Sequence, residues 1–571
     1  MAGHVNMMDD CLISNLPPVT LKSALRLLVS QGAATQKPFI EHVQARFREN
    51  PPRFKNPDDL FVADGVVTQT CLDYLAQTRC VFSCKLAREA LPYLGHFVMA
   101  IPRAQVTWSE NSELAAVLAT FDGDLVQAIQ ALKESRPSPG PELLRSLTSL
   151  LYSLEVCAVY CAAIAPQDSR RPALPFPFAR GRRQVRDILE MLSPGRDSAP
   201  LAHEPDAPAA RAAESAPPAL ETFRLGRLDA PRLFTGLWQV SSPLWGAASA
   251  RDQEAALARA AAAGFAAADM ADHYGDAELM YGEFRRKLAP EDRSRTLAAT
   301  KWASIPLLFT PHSRGRAASR SCVFSPLPGP VTPAYVLAAV SERSRRLGCG
   351  RIELLQFHWY NYADETYLEV LVELVRLARA QPALVAEIGL CNFDSAHVEA
   401  ACEHLLAATG EVGIVSNQVQ FSLIDARPLQ KMVRVCEKYG LKLLTYGSLY
   451  LDAILAWGGW PAFQALLAQL AAIARRRAAP LAAVSLAWVL RQPAVGAAVV
   501  GGVRQASRQS EYLDAGRRAV ALARELAPDE IRALDRLALD AGPGDGDDGK
   551  GARAAAFYAR MGDCGSEYRA L

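Results

Sequence analysis

The fold of this chain is decided by a pattern that is clearest in IELLQFHWYNYADETYLEVLVELVRLARAQPALVAEIGLCN (352–392). The apolar runs at 352–359 and 385–392 have the length and composition of buried strands. Between them, TYLEVLVELVRLARA (366–380) spaces its apolar residues three and four apart, which predicts an amphipathic helix. A strand, a helix and a strand in this order predict two parallel strands joined by a crossover helix.

The same alternation fills the second half of the chain. Six further runs are strand-like: GLWQV (236–240), FAAADMA (265–271), TLAATKW (296–302), GIVSNQVQF (413–421), LKLLTYGSL (441–449) and GAAVVGG (496–502). Eight strands alternating with helices over about 320 residues predict an α/β fold, a closed (β/α)8 TIM barrel. Active-site residues of such barrels lie at the C-terminal ends of the strands, so candidate residues are sought there.

Composition excludes several classes of protein. With 62 Lys and Arg against 60 Asp and Glu, the formal charge of +2 argues against a protein built to bind nucleic acid or an anionic membrane surface. Twelve scattered cysteines among 571 residues are typical of reduced thiols, which favours a cytoplasmic location. The N-terminus shows no signal-peptide pattern, and polar residues within LTSLLYSLEVCAVYCAAIA (147–165) favour a buried helix over a membrane span.

Changes in composition divide the chain into four parts. Residues 1–192 have helical periodicity, and residues 193–220 form a Pro- and Ala-rich segment expected to be a disordered linker. Residues 221–541 hold the predicted barrel, and the Gly- and Asp-rich start of 542–571 predicts a flexible tail. The function of residues 1–192 is unknown. A helical domain for protein binding or self-association is the default interpretation.

Two features of the helical half have weak functional interpretations. Cys71, Cys80 and Cys84, or Cys157 and Cys161, have a spacing that could belong to metal ligands, but buried free thiols are the more common explanation. The basic run RGRRQVR (180–186) is interpreted as the solvated start of a helix rather than as a nucleic-acid patch. Neither feature predicts a site, and no metal is expected.

Four side chains of complementary chemistry follow three consecutive predicted strands. Asp269 and Tyr274 come after the second, Lys301 ends the third and His358 ends the fourth. A phenol is a poor acid near neutral pH unless its conjugate base is stabilised. A nearby ammonium provides that stabilisation, and a carboxylate paired with the ammonium fixes its position. Tyr274 could therefore act as a general acid toward a carbonyl oxygen, which an imidazole could orient by a second hydrogen bond.

The chain resembles the aldo-keto reductase superfamily from about Phe223 to Leu539. The motifs stand in family order: GLWQ (236–239), DMADHYGDAE (269–278), TKW (300–302), QFHW (356–359), GLCNF (389–393), NQVQF (417–421), TYGSL (445–449) and VVGGVR (499–504). The resemblance implies a catalytic tetrad of Asp269, Tyr274, Lys301 and His358, with Tyr274 as the proton donor. It also implies a nicotinamide cofactor held without a Rossmann domain, and the sequence contains no GxGxxG after any predicted strand.

The resemblance further implies where NADP(H) is held. Asn392 and Gln418 would hold the carboxamide, Tyr446 would stack on the nicotinamide, and Gly236 and Trp238 of the GLWQ motif would also contact the cofactor. The segment with Arg504, Arg508 and Glu511 corresponds to the family's site for the adenosine 2′-phosphate and adenine. Two guanidiniums at a helix start suit a phosphate dianion, which favours NADPH over NADH.

Departures from the family pattern leave specific contacts open. Met270 stands where threonine is usual, with little expected effect on the chemistry. Cys391 replaces a serine hydroxyl, which puts one hydrogen bond to the cofactor in doubt, and Tyr512 replaces an asparagine near the adenine. An irregular insertion, SIPLLFTPHSRGRAASRS (304–321), follows the third strand, and our hypothesis is an unspliced or misassigned segment.

These observations predict an NADPH-dependent oxidoreductase that reduces an aldehyde or ketone, a small-molecule carbonyl substrate, to an alcohol. The alternative is an NADP(H)-binding regulatory or scaffold protein with weak or no turnover, in which the helical half binds a protein partner. A third possibility is that two neighbouring reading frames have been joined, in which case the halves are unrelated. The intact tetrad favours the enzyme, and the identity of the carbonyl substrate is not predicted.

Overall fold

The structure is a computed structural model of the chain. It describes residues 15–30, 33–62, 66–109, 112–135, 140–164, 176–193, 220–241, 249–303, 330–348, 350–359, 361–447, 457–501, 506–539 and 557–566, with the backbone alone at 30, 33–34, 240–241 and 506–508. Most of the predicted linker and the whole insertion at 304–321 lie outside these residues.

The first part of the chain is a mostly helical domain, as predicted. Its helices are α1 (Pro18–Ser30), α2 (Ala33–Glu49), α3 (Pro57–Leu60), α4 (Gln69–Ser83), α5 (Ala87–Arg103), α6 (Glu113–Glu134), α7 (Pro141–Ala163) and α8 (Ala179–Leu192). A two-stranded hairpin of β1 (Phe61–Val62) and β2 (Val66–Val67) joins α3 to α4. Apolar faces of these helices form a core that includes Leu94, Phe97, Phe121, Leu154 and Phe178.

The second part is a closed barrel of eight parallel strands, which confirms the predicted (β/α)8 fold. The strands are β5 (Leu233–Gly236), β6 (Ala267–Asp269), β7 (Leu297–Trp302), β8 (Ile352–His358), β9 (Val385–Cys391), β10 (Ile414–Gln420), β11 (Lys442–Tyr446) and β12 (Val495–Val500). Each strand pairs with the next along the chain, and β12 pairs with β5 to close the barrel. This order brings the C-terminal ends of all eight strands to one mouth.

Helices surround the barrel and a hairpin precedes it. The helices are α9 (Ala250–Ala262), α10 (Ala277–Lys287), α11 (Pro290–Arg295), α12 (Pro333–Leu347), α13 (Thr366–Ala380), α14 (Ser395–Thr409), α15 (Met432–Tyr439), α16 (Gly459–Arg476), α17 (Leu481–Arg491), α18 (Ala506–Glu525) and α19 (Pro528–Leu539). The antiparallel hairpin of β3 (Thr222–Leu225) and β4 (Leu228–Pro231) packs Leu225 against barrel residues such as Phe234 and Leu354. The hairpin therefore covers the end of the barrel opposite the mouth.

One helix among the described residues, α7, is long and apolar enough to cross a membrane by length and composition alone. A core helix of a globular domain passes the same test. Leu143, Leu147, Leu150 and Leu154 of α7 lie on one face and are buried in the core of the helical domain. Tyr152 and Val159, on other faces of the helix, are exposed.

Two local expectations were wrong. The first barrel strand ends at Gly236, and Trp238 lies in a 3-10 turn rather than in a strand. Part of the predicted flexible tail, residues 557–566, packs on the barrel because Phe557, Tyr558 and Cys564 are buried in its core.

Candidate active site

The carboxylate at the end of β6 is the best-connected group at the mouth. Asp269 Oδ2 accepts a hydrogen bond of 2.5 Å from Lys301 Nζ, and Oδ1 accepts from Gln356 Nε2 at 3.0 Å and Gln418 Nε2 at 2.7 Å. All four side chains are buried. Three donors from three other strands therefore fix the position of this one carboxylate.

Lys301 is held as an ammonium beside the ring of Tyr274. Burial alone would lower the pKa of Lys301, but attraction to Asp269 and Tyr274 outweighs it and the net direction is upward. Its Nζ lies 5.1 Å from the centroid of the Tyr274 ring. The Tyr274 side chain is partly buried against the barrel core, and its ring meets that of His273 edge-on at 4.7 Å.

The register of the strands places His358 at the same mouth. His358 is the last residue of β8 and pairs with Cys391, the last residue of β9, while Lys301 pairs with Gln356 two residues earlier on β8. The structure thus brings Asp269, Lys301 and His358 to the ends of β6, β7 and β8, with Tyr274 in the following loop. All four predicted tetrad residues lie at one end of the barrel.

Two of the expected cofactor residues are linked to each other. Asn392 has a left-handed backbone with φ of +58° and lies just beyond β9, where its N–H donates to Gln418 O at 2.8 Å. Its side-chain Oδ1 accepts a 2.9 Å hydrogen bond from Tyr446 Oη at the end of β11. Asparagine tolerates this backbone region better than most residues, and departures of this kind cluster at functional sites.

Gln418 joins the cofactor residues to the tetrad. Gln418 Nε2 donates one hydrogen bond to Asp269 Oδ1 and a second, of 3.0 Å, to Gln356 Oε1. Its own Oε1 is thus the atom that could accept a carboxamide N–H. The strand ends thus offer the amide acceptor of Gln418, the amide of Asn392 and the phenol of Tyr446. The donors and acceptors of these groups suit the carboxamide and ring of a nicotinamide.

The remaining predicted cofactor residues are less closely grouped. Gly236 ends β5 opposite Asp269, and an added Cβ there would lie 3.0 Å from Val499 Cγ1. Trp238 is half exposed in the turn after β5, and Glu511 is exposed on α18. Arg504 and the side chain of Arg508 lie outside the described residues.

The cysteine that replaces the usual serine is a neutral thiol. Burial raises the pKa of Cys391 to about 12, although the charge of Lys301 pulls it downward. A protonated thiol is a weak donor and a weak acceptor, so Cys391 offers the cofactor a weaker contact than a hydroxyl would. Among the described residues, no group of three or more His, Cys, Asp and Glu side chains could hold a metal ion.

Several residues around the site were not identified from sequence. Gln356 stands inside the quoted QFHW motif, but the pattern assigned it no role. The residues that fix the loop carrying Tyr274 were also missed. Asp272 accepts hydrogen bonds from the buried guanidinium of Arg343 and from Ala303 N at 3.2 Å.

The basic run at 180–186 was expected to be the solvated start of a helix, but its first arginine is buried. Arg180 and Asp276 are fully buried and form a bidentate ion pair, with Nε to Oδ2 at 3.1 Å and Nη2 to Oδ1 at 2.8 Å. Arg183 pairs with Glu283 on α10 and lies 3.5 Å from Asp276. The interpretation of this run as a solvated helix start was therefore wrong for Arg180 and Arg183, which pair with carboxylates 93 to 100 residues further along the chain.

Comparison with known proteins identifies the family of this chain. The model of the "Aldo/keto reductase family" matches residues 232–538. Among solved structures, an aldo/keto reductase from Klebsiella pneumoniae in complex with NADP and acetate is 20% identical, with 56% of this chain and 95% of that chain covered and a TM-score of 0.39. A thermostable aldo-keto reductase in complex with the inhibitor epalrestat is 22% identical, with 55% and 99% covered and a TM-score of 0.40. The family match spans more than half of the 571 residues, so this chain belongs to the aldo/keto reductase family, a family of oxidoreductases.

Proposed function

We propose that the protein reduces the carbonyl group of an aldehyde or ketone to an alcohol, with NADPH as the reductant and Tyr274 as the general acid. The observation that carries the proposal is the buried Lys301–Asp269 pair, whose ammonium lies 5.1 Å from the Tyr274 ring. A phenol that gives up its proton becomes an anion, and a fixed ammonium beside it lowers the cost of that charge.

Each tetrad residue has a separate task in this proposal. Tyr274 donates its phenolic proton to the carbonyl oxygen as negative charge develops there. Lys301 stabilises the phenolate that remains, and Asp269 holds Lys301 in place. His358, at the end of β8, donates a hydrogen bond that orients the carbonyl. Gln356 and Gln418 hold Asp269 in position by donating to its Oδ1.

The cofactor would be held by this chain's own strand ends. Asn392 and Gln418 would bind its carboxamide, and Tyr446 would lie against its ring, with Gly236 and Trp238 beside it. When bound, the reduced nicotinamide supplies the hydride. The preference for NADPH rests on Arg504 and Arg508, two guanidiniums in the segment where the family holds the 2′-phosphate, with Glu511 nearby.

The test is NADPH consumption with a panel of small aldehydes, ketones and quinones, with Tyr274→Phe run in parallel. We expect turnover by the wild type and a loss of about 10²- to 10⁴-fold in the variant, because only the transferable proton has been removed. Tyr439→Phe is a matched control, because it removes a phenol whose contact is an exposed bond to Glu403. Tight NADPH binding without turnover on the panel would contradict the proposal and favour a regulatory protein.

A further inference from the structure

The loop that carries Tyr274 is fixed at both ends by buried guanidinium groups. This loop, residues 270–276, connects β6 to α10. Near its start, Asp272 is held by Arg343, which belongs to the barrel itself and lies over Trp302 at 5.3 Å. At its end, Asp276 is held by Arg180, which belongs to the helical domain.

The backbone at Asp276 is linked to that of Tyr274 by a hydrogen bond. Asp276 precedes the first residue of α10, and the N–H of that residue, Ala277, donates to Tyr274 O at 3.0 Å. A shift of the backbone at Asp276 is therefore passed to the backbone of Tyr274 through this hydrogen bond. Burial alone would raise the pKa of Asp276, but Arg180 and then Arg183 outweigh it, and the net direction is downward. The carboxylate is thus ionised and dependent on groups from the helical domain.

Arg180 is itself presented by a rigid element. The N–H of Gly181, next to it on α8, donates to Asp122 Oδ1 of α6 at 2.8 Å. A Cβ at Gly181 would come within 2.7 Å of Leu125, so α8 and α6 are in direct contact there. Phe178 packs edge-on against Phe121 at 5.5 Å. Residues locked in this way by their neighbours hold a functional group more accurately than a flexible loop would.

We propose that Arg180 is a positioning residue for Tyr274, so that the helical domain completes the active site of the barrel. This inference rests on the proposed role of Tyr274 as the general acid. Without Arg180, the buried Asp276 carboxylate loses its bidentate partner and must be hydrated or move. Either change displaces the end of the Tyr274 loop. The role of residues 1–192 in this proposal is to fix the loop that carries the acid.

The primary test uses Arg180→Met in the full chain, with 4-nitrobenzaldehyde and NADPH as probes. We expect kcat to fall roughly 10- to 100-fold, since a displacement of about 1 Å at a reacting group can cost that much. KM for the aldehyde and the Kd of NADPH should stay within about twofold, because binding groups are untouched. Arg180→Lys should restore part of kcat, since it returns the charge without the two-point geometry.

Arg345→Ala is the matched control. Arg345 also crosses between the two parts of the chain, because it donates to Asp187 of α8 at 2.7 Å, but neither Arg345 nor Asp187 belongs to the Tyr274 loop. We expect its kcat to equal that of the wild type. A loss of kcat in Arg345→Ala as large as in Arg180→Met would overturn the proposal, because docking in general would then be the cause. An unchanged kcat in folded Arg180→Met would overturn it too.

Hydrogen exchange gives a second measurement that needs no turnover. Peptides covering 270–284 should exchange faster in Arg180→Met than in the wild type and Arg345→Ala. If Arg180→Met does not fold, Asp276→Asn tests the same contact from the other side, with the same expected exchange and kcat. A wild type without carbonyl turnover would refute the proposed function. Equal exchange in wild type and Arg180→Met would refute the positioning role.

Discussion

Lys301 Nζ lies 2.5 Å from Asp269 Oδ2, and both side chains are buried at the barrel mouth. Removing one partner of a buried pair leaves an uncompensated charge, whereas removing both does not. We therefore expect Asp269→Asn to lower the free energy of unfolding by about 3 kcal/mol. The double variant Asp269→Asn with Lys301→Met should regain part of that loss. Denaturant titration of the four proteins measures the coupling, and strictly additive effects would contradict it.

Gln356 and Gln418 both donate to Asp269 Oδ1, and only Gln418 is proposed to contact the cofactor. Gln356→Leu should lower kcat and leave NADPH affinity unchanged, because it loosens Asp269 alone. Gln418→Leu should lower kcat and also weaken NADPH binding by about tenfold, the equivalent of one lost hydrogen bond. Fluorescence titration of NADPH distinguishes the two variants. Equal Kd values for both would remove Gln418 from the proposed cofactor site.

Sequence was sufficient for the barrel because its strands are buried on both faces and their apolar runs are separated by helices of different periodicity. Asp269, Lys301 and His358 could be placed at the mouth for the same reason, since each stands at the end of such a run. The first strand was misplaced because GLWQV is as apolar as a strand, although Trp238 lies in a turn.

The contacts between the two parts of the chain were beyond reach of sequence patterns. Arg180 and Arg183 are charged residues at a helix start, and such residues are usually solvated. Their partner Asp276 lies 96 residues after Arg180, and no local spacing links the two. The complementary buried pairs across this contact also argue against two unrelated reading frames joined by accident, because an uncompensated buried charge is strongly destabilising.

The buried carboxyl of Asp122 should make the free energy of unfolding depend on pH. Burial raises the pKa of Asp122 from 3.8 to about 6, although Arg180 and the N–H of Gly181 pull it downward. A carboxyl whose pKa is raised on folding favours the protonated protein. Its contribution to the free energy of unfolding is therefore present below pH 3.8 and is lost as pH rises through about 6.

Asp122→Asn should remove this contribution while keeping an acceptor for Gly181. Two pKa units correspond to about 3 kcal/mol, so the variant should gain about that much stability relative to the wild type between pH 4 and pH 7. Denaturant midpoints measured across that range are the test. Parallel curves for the two proteins would show that Asp122 does not titrate there.

Residues 557–566 should contribute to the free energy of unfolding, although they follow the barrel in sequence. Phe557 and Tyr558 are buried in the barrel core, and Tyr558 Oη donates to Ala538 O at 2.8 Å. Phe557→Ala should lower the free energy of unfolding by about 3–5 kcal/mol, the cost of an emptied aromatic site. Arg560 is exposed in the same segment, and Arg560→Ala should change the free energy of unfolding by less than about 0.5 kcal/mol.

Asp563 connects the segment at 557–566 to the neighbourhood of Asn392 in the candidate active site. It accepts from Ser395 N at 3.1 Å at the start of α14, three residues after Asn392. Asp563→Ala should therefore cost about 1 kcal/mol of stability, as the loss of a helix cap does. It should also raise the Kd of NADPH if the segment supports the loop of Asn392, while Arg560→Ala leaves that Kd unchanged. A stability loss without any change in NADPH binding would limit the segment to a structural role.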